Sequence, residues 1–291
     1  MNLLKGLGLK AKVLCNEPLY RHTTFKIGGP VKIWAEPEDI DGLLGLLEIS
    51  KTEQLPIFLI GEGSNLLVRD EGLEAMAICL GNSFQAGRGL QKFILDTIEC
   101  GYTGLEFTAG IPGSIGGAVR MNAGAGLNGP WLSDFIERLK VCDLSGAVRY
   151  MEKDELKFGY RQSNLKDFII LEAVFNLKKA EDKEGCKKRY RRFLREKKNT
   201  QELSMPSAGC VFKNPRNSEL NAGQLIEGCG LKQRRIGDAM VSNKHANFIV
   251  NMGKATFNDV MGLIELIKKT VHAKYKITLE TEIECLRTIS I

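Results

Sequence analysis

The order of apolar and polar positions along the chain predicts alternating strands and helices. Residues 31–36 alternate as in a half-buried strand, and residues 37–53 then follow a helical pattern. The apolar run 55–60 is typical of a buried strand. Further strands are predicted at 66–68, 75–80, 136–143, 147–151, 168–177 and 247–251, and further helices at 89–100 and 219–229. This mixture predicts an α+β fold.

The clearest helix signal lies near the C-terminus. Thr256 and Asp259 form a capping-box pattern at its start. Apolar residues then recur on one helical face, at Val260, Leu263, Ile267 and Val271. Residues 277–286 alternate as a half-buried strand and close the pattern.

Composition and charge exclude several classes of protein. The 291 residues are 43% hydrophobic and 26% charged, as in an ordinary globular protein of one to three domains. The net charge of +6 is too mild to indicate a nucleic-acid binder and suits an anionic ligand equally well. No apolar stretch is typical of a signal peptide or a membrane span, so we expect a cytoplasmic protein with no membrane partner. The eight cysteines form no C-x-x-C pair, so we expect free thiols and no metal site.

Two glycine-rich segments carry the strongest chemical signal. The first glycine segment, residues 61–65 (GEGSN), lies between two predicted strands. Alone it is explained by a tight turn, and it lacks the G-x-G-x-x-G spacing and following helix of a dinucleotide fold. The second glycine segment, residues 110–126, has too many positions without side chains for an ordinary turn. Such backbone is suited to wrapping an extended phosphate ligand.

Together with residues 22–29 (HTTFKIGG), these segments resemble the vanillyl-alcohol-oxidase type of FAD-binding fold (also called the PCMH type). The resemblance implies two subdomains that clamp the FAD pyrophosphate between glycine-rich loops. It implies non-covalent FAD contacts at Gly61, Gly63, Ser64, Asn65, Gly110, Gly113, Ser114, Gly116, Gly117, Asn122 and Ala123.

Later motifs narrow the resemblance. Their order is similar to that of the UDP-N-acetylenolpyruvoylglucosamine reductase (MurB) family, and the short length is similar to its type II branch. The segments that carry it are 158–163 (FGYRQS), 206–215 (PSAGCVFKNP), 222–227 (AGQLIE), 244–251 (KHANFIVN) and 279–283 (LETEI). The resemblance runs from about residue 20 to residue 284. It implies FAD-dependent, NADPH-using reduction of the enolpyruvyl UDP-sugar to UDP-N-acetylmuramate, a precursor of peptidoglycan.

Carried over residue by residue, the resemblance implies three catalytic residues, Arg161, Cys210 and Glu282. An arginine is always cationic and can stabilise an enolate-like intermediate. Cys210 departs from the family, which usually has a serine as proton donor, but a thiol with the ordinary pKa near 8.5 is an adequate acid. Glu284 also departs, because an arginine is common there. Contacts with the nucleotide-sugar are implied for Lys213, Asn214, Gln224 and Asn247.

The domain division is expected near residues 180–200, where a basic stretch begins. We expect an FAD-binding region at 1–180, with subdomains of about 1–82 and 83–180, and a smaller α+β substrate-binding domain at 181–291.

The basic run 187–198 is typical of a solvated helix. Attraction of nucleotide phosphates is one alternative, and an RNA-binding surface that uses Tyr190 and Phe193 is another. A flavin oxidase of the same fold that acts on another substrate is a closer alternative to the reductase function than RNA binding is. The expected partners are the UDP-sugar and NADPH, with no nucleic acid, in a monomer or weak oligomer.

Overall fold

The computed structural model describes residues 9–287. The helices are α1 (Ile40–Thr52), α2 (Leu90–Glu99), α3 (Ile115–Arg120), α4 (Lys183–Thr200), α5 (Ala222–Gly228) and α6 (Phe257–Tyr275). The strands are β1 (Ala11–Pro18), β2 (Pro30–Pro37), β3 (Ile57–Leu59), β4 (Leu66–Val68), β5 (Leu73–Ile78), β6 (Tyr102–Thr103), β7 (Ile136–Asp143), β8 (Val148–Glu152), β9 (Phe158–Gly159), β10 (Gln162–Ser163), β11 (Phe168–Phe175), β12 (Lys178–Lys179), β13 (Arg235–Ile236), β14 (Ala239–Val241), β15 (Ile249–Asn251) and β16 (Glu284–Leu286). The expected mixture of helices and strands is confirmed. None of the helices between residues 9 and 287 combines the length and apolarity that a bilayer crossing requires.

The first sheet has the strand order β1-β2-β5-β3. β1 runs antiparallel to β2, whereas β2 and β3 both run parallel to β5. The sequence analysis missed β1. The predicted helix at 37–53 is confirmed but begins at Ile40, because the Asp39 carboxylate accepts a hydrogen bond from the Gly42 N–H at 2.9 Å and caps the helix.

The second sheet has the order β11-β7-β8, all antiparallel, and confirms the strands predicted at 136–143, 147–151 and 168–177. α2, α3 and α4 pack on it. Successive residues of β11 face different cores: Ile169 and Leu171 pack with α1 and the first sheet, and Ile170 and Ala173 pack with α2 and α3. The two sheets therefore share an apolar interface at β11.

The third core surrounds α6 and the small sheet β13-β14-β15. The predicted capping box and apolar face of α6 are confirmed. Residues 277–286 form less strand than expected, because only β16 joins a ladder, parallel to β4 of the N-terminal part. This pairing places residues 284–286 beside the strand that follows the first glycine segment.

Helix α4 begins just after the predicted domain division. Its Cys186 and Tyr190 are buried in the apolar core between the second sheet, α2 and α3, here called the second core. Packing thus groups α4 with the residues before it, and the division at 180/181 stays a prediction.

Candidate functional site

A cavity of about 1780 Å³ is lined by residues of the first sheet, of α3 and of the C-terminal region around Phe212 and Phe248. It is larger than the roughly 300–1,000 Å³ of a common small-molecule pocket, so it has room for an extended ligand. Both glycine segments and all three predicted catalytic residues line it.

The first glycine segment turns sharply at the cavity wall. Gly63 has φ +61°, and a side chain there would collide with the carbonyl oxygen of His22. The carbonyl of Gly63 accepts the Thr24 N–H at 3.2 Å. The Asn65 side-chain amide donates to the Glu282 carbonyl at 3.2 Å. The segment is therefore fixed on one side to the N-terminal part and on the other to the end of the chain.

The second glycine segment is held by Gln91 of α2. The Gln91 side chain accepts the Gly110 N–H at 2.8 Å and donates to the Ile111 carbonyl at 2.7 Å. Farther on, the Ser114 hydroxyl accepts the Gly117 N–H at 3.2 Å and caps α3. Gly110, Gly113, Ser114, Gly117 and Ala123 line the cavity.

Two predicted cofactor residues face elsewhere. Gly116 does not line the cavity, and a side chain there would approach Ala86 at 3.2 Å. Asn122 is buried, and its amide donates to the Gly159 carbonyl at 3.0 Å and accepts the Ser133 N–H at 3.1 Å. Asn122 thus positions the β9–β10 turn, which carries Arg161, rather than opening to the cavity.

Arg161 and Glu282 form an ion pair in the cavity wall. The distance between Arg161 Nε and Glu282 Oε1 is 2.7 Å, and the two side chains are only 15% and 16% exposed. The Arg161 guanidinium also donates to the Gly124 carbonyl at 3.2 Å. Burial raises the pKa of Glu282, and the charge of Arg161 opposes that shift. Several acceptors at once therefore fix the direction of the guanidinium.

Cys210 lies beside this pair. Residues 210–212 run between two other segments: Cys210 forms a bridge to Phe248, and the Glu282 N–H donates to the Val211 carbonyl at 2.8 Å. Burial, and secondarily Glu282, raises the pKa of the Cys210 thiol to about 12, while Arg161 lowers it. The expectation of an ordinary thiol pKa was wrong, because the cavity wall desolvates the sulfur.

Lys197 lies near Arg161 and Cys210, although the sequence analysis did not predict it as a site residue. Its stem runs under Gly110, and it lines the cavity. Burial, followed by repulsion from Arg161, lowers the pKa of Lys197 to about 8. The helical periodicity of α4 would have identified Lys197. Its apolar face carries Cys186, Tyr190 and Leu194, and Lys197 is the next position on that face.

The four predicted substrate residues divide into two pairs. Asn214 and Asn247 line the cavity, whereas Lys213 and Gln224 do not. Lys213 pairs with Glu280 at 3.6 Å, and the Gln224 side chain caps α5 by accepting the Asn221 N–H at 2.9 Å.

His245 also lines the cavity. Burial lowers the pKa of its imidazole, so the neutral form dominates at pH 7. Its Nδ1 accepts the Asn247 N–H at 3.3 Å, which places the ring proton on Nε2. His245 is thus a neutral hydrogen-bond donor at the cavity wall.

The aromatic residues of the basic run are not arranged for stacking on nucleic-acid bases. Tyr190 is buried and its hydroxyl donates to Gln91 at 3.0 Å, and Phe193 packs against the second core. The RNA-binding alternative required these rings to be exposed. The geometry therefore favours a solvated helix whose inner face reaches the cavity.

Known proteins resemble this chain along nearly its whole length. A family model described as the C-terminal domain of UDP-N-acetylenolpyruvoylglucosamine reductase matches residues 201–286. The Bacillus subtilis (strain 168) protein named UDP-N-acetylenolpyruvoylglucosamine reductase is 39% identical over 290 residues, 94% of either chain. The Alkaliphilus oremlandii protein of the same name is 41% identical over 286 residues, 93% of this chain and 92% of its own. The crystal structure of UDP-N-acetylenolpyruvylglucosamine reductase (MurB) from Thermus caldophilus has a TM-score of 0.80 at 35% identity, over 94% of this chain and 98% of that one. The family expected from the motifs is confirmed: this chain belongs to the UDP-N-acetylenolpyruvoylglucosamine reductases.

Proposed function

We propose that the protein reduces UDP-N-acetylenolpyruvoylglucosamine to UDP-N-acetylmuramate, with FAD as cofactor and NADPH as reductant. One observation carries the proposal: the Arg161–Glu282 pair and Cys210 open into the same cavity as the two glycine segments. The reaction needs a site for a dinucleotide cofactor next to a cation and a proton donor. The cytoplasmic location predicted from the sequence is part of this proposal.

The residues of the cleft fit the pyrophosphate of FAD. A side chain at Gly61 would collide with the Ser114 hydroxyl, and one at Gly113 would approach the Ser64 hydroxyl at 3.0 Å, so the two segments have room only for each other and a slender ligand. The Ser114 hydroxyl and the Asn65 side-chain amide line the cavity as neutral donors suited to phosphate oxygens. We infer that these residues hold FAD between two subdomains of the vanillyl-alcohol-oxidase type.

When bound, FAD would supply hydride transfer from NADPH to C3 of the enolpyruvyl group. Negative charge then develops toward the substrate carboxylate. Arg161 is fixed by Glu282 and Gly124, so its guanidinium needs no reorganisation to stabilise that charge. Glu282 contributes by holding Arg161 in place.

The thiol of Cys210 would then donate a proton to C2 and complete the saturated product. With a pKa of about 12, the thiol stays protonated at neutral pH and is closer in acidity to a serine hydroxyl than an ordinary thiol is. Arg161 and Lys197 both favour the thiolate left after transfer. The replacement of serine by cysteine therefore preserves the donor function.

Asn214 and His245 are the cavity residues best placed to contact the nucleotide-sugar, in addition to Lys197 as a cation. The Asn247 side chain accepts the Phe212 N–H at 2.9 Å and donates to the Phe212 carbonyl at 2.8 Å, so it positions the segment that carries Cys210. The test is NADPH oxidation by purified protein with and without the enolpyruvyl UDP-sugar. We expect oxidation only when the sugar is present, with a product heavier than the substrate by two hydrogens. Equal oxidation in its absence, with oxygen consumed, would favour the flavin oxidase instead.

A further inference from the structure

The two glycine segments are joined by side chains rather than by their backbones. Among the described residues, the backbone hydrogen bonds of each segment go elsewhere: the Gly63 carbonyl accepts from Thr24, and the Gly113 carbonyl accepts from Leu90. Two side-chain bonds cross the gap. The Glu62 carboxylate accepts the Gly113 N–H at 3.0 Å, and the Ser64 hydroxyl donates to the Pro112 carbonyl at 3.1 Å.

Glu62 is the unexpected member of this contact. It lines the cavity and is exposed, and its negative charge repels an anionic cofactor bound nearby. A serine or an asparagine would avoid that repulsion, so the carboxylate needs a role that offsets it.

The second carboxylate oxygen shows how the repulsion is reduced. A side chain at Gly89 would lie 2.9 Å from Glu62 Oε1, so this oxygen rests against the backbone of Gly89. Gly89 is the N-cap of α2, which has no side-chain cap of its own. The partial positive charge at a helix N-terminus favours a carboxylate there. Glu62 therefore contacts the second glycine segment with one oxygen and the start of α2 with the other.

We propose that Glu62 is a positioning residue that clasps the two glycine segments and sets the width of the FAD cleft. The role rests on the proposed function, since the cleft must hold FAD. Glu62 acts through the Gly113 N–H and the segment behind it. Loss of the clasp lets the second glycine segment move away, and bound FAD leaves faster.

The test measures the release of flavin from purified full-length protein after dilution, by the fluorescence of free FAD. Glu62→Ala removes the acceptor and is expected to release flavin about tenfold faster, the effect of one charge-assisted hydrogen bond. Glu62→Gln keeps an oxygen for the Gly113 N–H and is expected to stay within about twofold of wild type. Glu74→Ala is the matched control, because that carboxylate is 85% exposed and does not line the cavity.

A second variant tests the other hydrogen bond between the two glycine segments. Ser64→Ala removes the other crossing bond, which is neutral, and is expected to speed release only a few-fold. Release at the wild-type rate from Glu62→Ala would overturn the clasp. Equal acceleration in Glu62→Gln would overturn it too, because glutamine keeps the acceptor for the Gly113 N–H. Wild-type protein that cannot take up FAD would instead overturn the cofactor site itself, and the clasp with it.

Discussion

The glycine cleft is built from backbone, whereas the cluster of Arg161, Glu282 and Cys210 beside it is built from side chains. The cleft is formed by two short stretches of sequence, residues 61–65 and 110–126, and hydrogen bonds to other segments hold them in place. The cluster draws one residue from each of three segments, and its ion-paired residues, Arg161 and Glu282, lie 121 positions apart in the sequence. Binding of an extended ligand therefore depends on local backbone shape, while charge and proton chemistry depend on how distant segments meet.

The same difference predicts different responses to mutation. A side chain placed at a cleft glycine should act by collision and remove the cofactor. A substitution in the cluster should leave the cofactor bound and slow one step of the reaction.

The largest expected effect is that of Gly63→Val, which should abolish flavin retention. A side chain at this positive φ collides with the His22 carbonyl and displaces the first glycine segment. The measurement is the ratio of flavin to protein absorbance after purification. Gly101→Val is the control, because Gly101 also has positive φ but has open space around it and does not line the cavity. A folded, fully yellow Gly63→Val protein would contradict the role of the cleft.

Cys210→Ala should bind the enolpyruvyl UDP-sugar and accept hydride, yet form UDP-N-acetylmuramate about 10²- to 10⁴-fold more slowly, the usual contribution of a general acid. Cys210→Ser should keep substantial activity, because a hydroxyl fills the donor position. Rapid quenching of the reaction under anaerobic conditions, with detection of UDP-N-acetylmuramate, measures the step. Product formation by Cys210→Ala at the wild-type rate would make Cys210 a packing residue.

Much of the cleft could be predicted from the sequence, because glycine-rich stretches show which backbone must be free of side chains. Gly116 and Asn122 could not be assigned, since a sequence does not show which side of a segment faces the ligand. They face Ala86 and Gly159 instead.

The cluster was predicted only through resemblance to a family. Neither the 2.7 Å contact of Arg161 with Glu282 nor the raised pKa of Cys210 follows from local sequence, because both depend on tertiary contacts and burial. Lys197 could have been found from the apolar face of α4. Strand β1 was missed, and β16 is shorter than predicted because pairing, rather than alternation, decides where a strand ends.

Arg161→Lys should slow reoxidation by about tenfold to a hundredfold and leave flavin reduction by NADPH unchanged. The charge remains, but a lysine cannot contact Glu282, Gly124 and a substrate carboxylate as the planar fork does. The two half-reactions are measured separately by stopped flow. Equal slowing of both would place Arg161 outside the chemistry on the enolpyruvyl group.

Lys197→Met should have the smallest effect and should change the pH dependence. The ammonium is charged below its pKa of about 8, so kcat/KM for the anionic UDP-sugar is highest there and falls as pH rises through that value. In Lys197→Met, kcat/KM should be lower by several-fold at neutral pH and should lack this alkaline decline. Lys198→Met is the control, because Lys198 is an exposed neighbour that does not line the cavity. An unchanged decline in Lys197→Met would assign it to another group.

The central claim is that one cavity joins a flavin cleft to a cluster that acts on the enolpyruvyl sugar. Anaerobic mixing of the purified wild-type protein, first with NADPH and then with the enolpyruvyl UDP-sugar, tests it most directly. We expect the flavin absorbance to bleach with NADPH and to return in full with the sugar, at one equivalent per protein. Flavin that bleaches but is reoxidised only when oxygen is admitted would contradict the claim.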